Sequence, residues 1–213
     1  MAKTRVLLAD DHTLVAELCK RLLDTDFEVI GIATDGHALI QIATDLRPEV
    51  IIVDIAMPGL NGLDAAQRVK RILTSVKVIF LTMNPDPELA AEAFNRGASG
   101  YLLKTSSTTE LVLSVREVLK GKSFLSSCLS RDAVDMYRWQ HKTLVEEANR
   151  LTERQREVLQ LLAQGKVMKE VASTLKMSTR TVAFHKYRIM EVLGAKSSAD
   201  LVKYAVRNHI VPS

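Results

Sequence analysis

"IIVDIAMPGLNG", residues 51–62, decides how this chain is read. Three apolar residues with the character of a buried strand run into one carboxylate, Asp54, and then into Met-Pro-Gly. An aspartate can begin a turn simply by hydrogen-bonding its own backbone. A second stretch, "RVLLADDH" at residues 5–12, repeats the arrangement, an apolar run that ends in Asp10 and Asp11. Two strands of buried type that both end in acids point to a common place for those acids.

Outward from these stretches, residues 1–122 alternate short apolar runs with helical patterns. The runs fall at 6–9, 29–33, 50–53, 78–81 and 100–103; between them "TLVAELCKRLLD", "LDAAQRVKRIL" and "PELAAEAFNRG" place apolar residues every three or four positions. Continuous apolar strands suit a parallel sheet covered on both faces, and right-handed crossovers then give a doubly wound α/β sandwich of five strands in the order 2-1-3-4-5, flavodoxin-like in arrangement. Residues 124–147 match neither period well and read as a partly helical linker, with Val134, Tyr137, Trp139, Leu144 and Val145 docking unevenly and Trp139 either packing on one of the domains or serving a partner. The last stretch, 148–213, reads as a small all-α domain of four short helices. Thr152 and Gln155 stand at capping-box spacing, Ser178 precedes a long helix, and Gly194 stands at its end. Three segments follow: 1–123, 124–147 and 148–213.

Composition excludes several classes. The 213 residues are 47% hydrophobic and 25% charged, the balance of a soluble chain. No stretch approaches the roughly 18 apolar residues of a membrane span, and the N-terminus meets acids too early for a signal peptide, so a cytoplasmic protein is expected. Cys19 and Cys128 have neither a CxxC spacing nor a histidine cluster, which excludes a zinc site or disulfide framework. Charge is uneven: residues 1–125 carry 14 Lys and Arg against 16 Asp and Glu, whereas residues 151–213 carry 11 against 5. The basic third is the part expected to meet a polyanion.

In a doubly wound sheet, ligands bind outside the carboxyl ends of the strands, where Asp10, Asp11 and Asp54 all fall. Three converging carboxylates repel one another unless a hard cation neutralises them, and oxygen ligands with room for water and phosphate favour Mg²⁺. Thr82 ends the fourth strand with a hydroxyl and Lys104 ends the fifth with a compact positive charge. Carboxylate nucleophile, metal, hydroxyl and ammonium are the parts needed to accept a phosphoryl group.

"ADDH", "VDIAMPGLNG", "LT" and "GYLLK", in this order, resemble the receiver domain of two-component response regulators. The resemblance implies that Asp54 is phosphorylated by a sensor histidine kinase. It also implies that Asp10, Asp11, Asp54 and the Ala56 carbonyl hold Mg²⁺, and that Thr82 and Lys104 contact the phosphoryl oxygens. Tyr101 becomes a switch aromatic that turns inward as Thr82 moves. One departure is Thr105 after Lys104, where many receivers carry proline behind a cis bond; the geometry of that bond, trans or cis, stays open.

The segment "LTERQREVLQLLAQGKVMKEVASTLKMSTRTVAFHKYRIMEVLG" resembles the LuxR-type helix-turn-helix DNA-binding domain of the NarL/FixJ group. The resemblance implies a transcription regulator, not an enzyme, that binds double-stranded promoter DNA as a homodimer, with RNA polymerase as a further partner. On it, Lys169, Arg180, Thr181, Ala183, Phe184, Lys186, Tyr187 and Arg188 are the DNA-facing candidates. Leu201, Val202, Ala205 and Val206 form the dimer contact, and His185 is a packed, hydrogen-bonded core residue. Val167 and Met168 depart from the small polar residues usual before the scaffold helix. Phe184 and Tyr187 stand where other members place polar base readers. Aromatics there touch thymine methyls or phosphate, bind protein, or bind DNA with little base specificity. Two alternatives remain beside this reading: a regulator that works without phosphorylation, and a Mg²⁺-dependent phosphohydrolase with Asp54 as nucleophile.

Overall fold

The computed structural model describes residues 3–136 and 151–211, and the chain divides into two compact units, Met1–Lys142 and Thr143–Ser213. Tyr137, Trp139, Leu144 and Val145 lie outside the described residues.

The N-terminal unit alternates strand and helix in the order β1 (Arg5–Ala9), α1 (Thr13–Leu23), β2 (Glu28–Ala33), α2 (Gly36–Leu46), β3 (Val50–Asp54), α3 (Gly62–Ile72), β4 (Lys77–Thr82), α4 (Pro87–Asn95), β5 (Gly100–Leu103) and α5 (Thr108–Leu119). All pairs are parallel and the strand order begins 2-1-3-4-5, as the alternating pattern predicts. Each central strand is buried on both sides, which explains why its sequence is apolar without alternation. On one face Leu7, Ile51, Val53, Val78, Phe80 and Tyr101 pack with residues of α2, α3 and α4; on the other, Val6, Leu8, Ile52, Ile79 and Leu102 pack with residues of α1 and α5.

The sheet also has a sixth strand, β6 (Phe124–Leu125), parallel to β5, in a stretch expected to be linker. Phe124 N–H donates to the Ser99 carbonyl at 3.0 Å and Ser126 N–H to the Tyr101 carbonyl at 2.9 Å. These bonds satisfy an edge that β5 would otherwise leave open. Two residues are too few to show a period in sequence. Beyond β6, Leu129 and Val134 are buried in the same core cluster as Tyr101, and residues 131–136 are helical, so the first unit runs past residue 123.

The C-terminal unit holds α6 (Glu153–Ala163), α7 (Met168–Thr174), α8 (Thr179–Leu193) and α9 (Ser198–Arg207), the four helices expected. Thr152 and Gln155 form a reciprocal capping box on α6, and Ser197 and Asp200 another on α9. Ser178 accepts from Thr181 N–H at the start of α8, and Gly194, with φ at 64°, ends it in the left-handed conformation that favours glycine. Each such N-cap contributes about 1 kcal/mol. Val158, Leu161, Val171, Val182, Ile189 and Leu201 meet in one apolar core.

Candidate functional site

Strand register assembles the acids. Ala9 pairs with Val53, Asp54 with Leu81, and Thr82 with Leu103, so Asp10, Asp54, Thr82 and Lys104 all emerge at the carboxyl edge of adjacent strands. Asp10 and Asp54 are buried, whereas Asp11 is partly exposed. Asp10, Asp11 and Asp54, together with His12, each offer a ligand atom within 4.8 Å of the others. The oxygen-rich donor set suits a hard divalent cation. His12 was not singled out from sequence; its Nδ1 lies 3.2 Å from Asp10 Oδ1 and 3.0 Å from Asp11 Oδ1.

Lys104 is the positive counterpart. Its Nζ lies 2.7 Å from Asp10 Oδ2 and 2.7 Å from Asp54 Oδ2, with all three side chains buried. Burial alone would depress the ammonium, but hydrogen bonds and attraction from Asp10 and Asp54 outweigh it and hold the group above its usual range. Lys104 therefore carries its positive charge at neutral pH. The other Asp54 oxygen, Oδ1, accepts from Ala56 N–H at 3.1 Å, which ties the β3–α3 loop to the carboxylate. Among the described residues no peptide bond is cis, so the Lys104–Thr105 bond is trans.

Gly62, at the start of α3, is a further element of the site that residue chemistry alone did not reveal. Its N–H donates to the Ile55 carbonyl at 2.9 Å, holding the helix start against the strand that presents Asp54. Only the Asn-Gly pair in the sequence hints at the tight approach.

Thr82 and Tyr101 meet through a residue that neither pattern nor motif marked. Thr82 Oγ1 accepts from Asn84 N–H at 3.2 Å, and the Tyr101 hydroxyl donates to the Asn84 carbonyl at 2.8 Å. Asn84 Oδ1 in turn accepts from the N–H of Asp86, the N-cap of α4. Tyr101 is 0% exposed, and its ring fills the core beneath α4 in the inward position. Its hydroxyl can stay buried because Asn84 satisfies it. Burial, reinforced by the Asp86 charge, pushes its phenol above the usual tyrosine range.

In the C-terminal unit, α7 and α8 are joined by a turn through Lys176, at φ 52°, and the chain exposes much of α8. Arg180, Phe184, Tyr187 and Arg188 are exposed, as is Lys169 on α7; Ala183 and Lys186 are half-buried. Thr181 Oγ1 pairs with Ser178 Oγ at 2.8 Å, Lys186 Nζ donates to Ser198 Oγ at 3.0 Å, and Arg188 pairs with Glu191 at 2.6 Å. His185, expected as a bonded core residue, is half-buried, and its buried Nδ1 has no hydrogen-bond partner. Its ring meets Phe184 edge-on, with centroids 5.8 Å apart.

The four residues expected at a dimer contact separate. Leu201 and Ala205 are 2% and 0% exposed and belong to the core of their own domain, because they lie on the inner side of α9 facing α6. Val202 is exposed and Val206 half-buried, so only these two remain accessible to a partner.

Comparison with known proteins places both units. Residues 6–116 match the description "Response regulator receiver domain", and residues 149–205 match "Bacterial regulatory proteins, luxR family". The chain is 35% identical to the transcriptional regulatory protein YxjL of Bacillus subtilis, over 98% of each chain. It is 34% identical to the transcriptional regulatory protein LiaR of the same organism, over 97% of this chain and 99% of the other. Among solved structures, the RcsB response regulator of Salmonella typhimurium aligns over 96% of this chain and 97% of its own, with a TM-score of 0.60 and 28% identity. An RcsB–DNA complex aligns over 95% and 97%, with a TM-score of 0.56 and 28% identity. Among the described residues no helix is long and apolar enough to cross a membrane.

Proposed function

The chain belongs to the two-component response regulators of the NarL/FixJ type and is a DNA-binding transcriptional regulator; from that premise we propose that Asp54 is its phosphoacceptor, with α8 as the helix that enters the DNA groove. The observation that carries the proposal is the convergence of Lys104 Nζ on Asp54 and Asp10, 2.7 Å from each, at the carboxyl edge of the parallel sheet.

A receiver of this class implies a histidine kinase as donor. One Asp54 oxygen attacks the phosphorus of the kinase phosphohistidine, the P–N bond breaks with its electron pair going to the ring nitrogen, and the ring, already protonated at its other nitrogen, leaves as neutral imidazole. An acyl phosphate remains on Asp54. Asp10, Asp11, Asp54 and the Ala56 carbonyl would hold Mg²⁺, which supplies charge neutralisation for the incoming oxygens. Lys104 then shifts its ammonium from the Asp54 carboxylate to a phosphoryl oxygen, and the Thr82 hydroxyl donates to another. If Thr82 turns toward the phosphoryl group it releases Asn84 N–H, and the Asn84 loop leading into α4 is free to rearrange around Tyr101. The charge on one side chain is thereby read out at α4.

On the DNA side, Lys169, Arg180 and Arg188 serve the phosphates, while Thr181, Ala183, Phe184, Lys186 and Tyr187 lie on or beside the groove face. Val202 and Val206 form the accessible part of a homodimer contact. The regulator works in the cytoplasm, with RNA polymerase as its further partner, and Asp54 accepts a phosphoryl group as a switch rather than turning over substrate. The test is fluorescence anisotropy on a site selected from random DNA, with Mg²⁺ and with or without acetyl phosphate. Wild type should bind more tightly with acetyl phosphate, by some 5- to 150-fold for a coupling of about 1–3 kcal/mol. Asp54→Asn should bind at the basal level throughout; an equal response in the variant sinks the assignment of Asp54.

A further inference from the structure

We propose that α8 selects its DNA by thymine, the rings of Phe184 and Tyr187 meeting thymine 5-methyl groups in the major groove. The inference rests on the reading that α8 is the groove helix, and adds to it the chemistry of selection.

With 3.6 residues per turn, Arg180, Phe184 and Tyr187 share the side of α8 opposite Val182 and Ile189, which are 0% exposed in the core. Phe184 is 62% exposed and Tyr187 68%. Two adjacent aromatic rings left in water on one helix face are costly unless a partner covers them. The basic residues lie on the flanks of this face, Lys186 beside Ser198 and Arg188 beside Glu191. The middle of the helix therefore offers apolar ring edges, with Arg180 one turn before them.

Charge argues that the occupant is DNA. Residues 151–213 carry 11 basic against 5 acidic side chains, which suits a polyanion. Within the major groove, the 5-methyl of thymine is the one apolar group on the base edges, and it lies beside an acceptor, O4. A phenyl ring at 184 answers the methyl, and at 187 a ring with a hydroxyl answers methyl and O4 together.

The test uses the full-length protein with acetyl phosphate and a site selected from random DNA. Each thymine is replaced in turn by deoxyuridine, which lacks only the methyl, and affinity is read by anisotropy across a salt series. The selected sites should carry thymines at fixed positions, and substitution at those positions should weaken wild-type binding about fourfold per methyl. Phe184→Ala and Tyr187→Ala should each lose the deoxyuridine effect at their own positions with an unchanged salt slope, because no charge is removed. Both residues are exposed, and circular dichroism should show both variants folded. Salt-dependent binding that ignores deoxyuridine everywhere overturns this inference and leaves α8 as the groove helix. Unchanged DNA affinity in the double variant also overturns it, and assigns the rings to a protein partner. Absence of salt-dependent DNA binding overturns the groove-helix reading as well.

Discussion

Gly62 lies so close to Asp54 that a β-carbon built on it would stand 2.0 Å from the Asp54 carbonyl oxygen and 2.9 Å from the carbonyl carbon. The obstacle is backbone, so no side-chain rotation relieves it. The first turn of α3 is thus pressed directly against the residue that ends β3.

Gly62→Ala must push α3 away from β3. Overpacking of this kind costs about 1–3 kcal/mol, and for a chain of this size each kcal/mol lowers Tm by about 2–4 °C. Calorimetry should show that loss, and labelling of Asp54 by radiolabelled acetyl phosphate should slow. Wild-type melting together with wild-type labelling would show that the loop accommodates the methyl.

Stability of the N-terminal unit should fall at alkaline pH. Burial, with a contribution from Asp10, pushes the Cys19 thiol up to about 11. Tyr101 and Lys104 are also held above their usual ranges. In each case the unfolded chain releases its proton first, near pH ~8.5 for cysteine and ~10 for tyrosine and lysine. The folded state then binds more protons, and stability declines as pH rises. Urea midpoints should begin to fall near the ordinary thiol value and fall faster above about pH 10. Cys19→Ala should delay the onset, and Tyr101→Phe should flatten the steeper part; identical profiles for all three proteins would contradict the assignment.

Arg96 should be among the most sensitive residues outside the cluster of Asp10, Asp54 and Lys104. Its buried guanidinium pairs with Asp64 of α3 at 2.6 Å and with Glu92 of α4. Burial opposes the charge, but attraction to Glu92 and Asp64 prevails and holds it above its usual range. Arg96→Met takes the cation from the buried Asp64 carboxylate, which keeps its bond from Asn61 Nδ2, and from the half-buried Glu92, and should cost about 1–3 kcal/mol in chemical denaturation. Arg96→Lys should recover only part, because an ammonium lacks the fork that spans two carboxylates. A neutral Arg96→Met would mean that the carboxylates find water.

Leu201 and Val202, neighbours in sequence, should behave oppositely. Leu201→Ala opens the core of the C-terminal unit and should cost about 2–5 kcal/mol of its stability. Val202→Asp should leave the melting temperature unchanged and weaken dimer formation on DNA, read by the cooperativity of binding to two half-sites. If Val202→Asp binds as cooperatively as wild type, the dimer contact lies elsewhere.

What was legible in the sequence followed from period and from strand ends. Continuous apolar runs such as 50–53 could belong only to strands buried on both faces, and the acids that ended them were marked as a site by their position. Less legible was anything that depended on few residues or on facing direction. β6 has two residues and no period; Leu201, Val202, Ala205 and Val206 are equally apolar, yet α9 turns two of them inward.

The sequence by itself determined the five β/α repeats, the four C-terminal helices and the acids at the strand ends, because local periodicity and caps encode elements and because a carboxylate that ends an apolar run is visible in one dimension. Only the tertiary structure decided that Lys104 stands between Asp10 and Asp54, that Asn84 joins Thr82 to Tyr101, and that Gly62 has no room for a methyl. These are distances between residues remote in the chain or facing across a turn. They are set by strand register and helix packing, which a one-dimensional pattern does not contain.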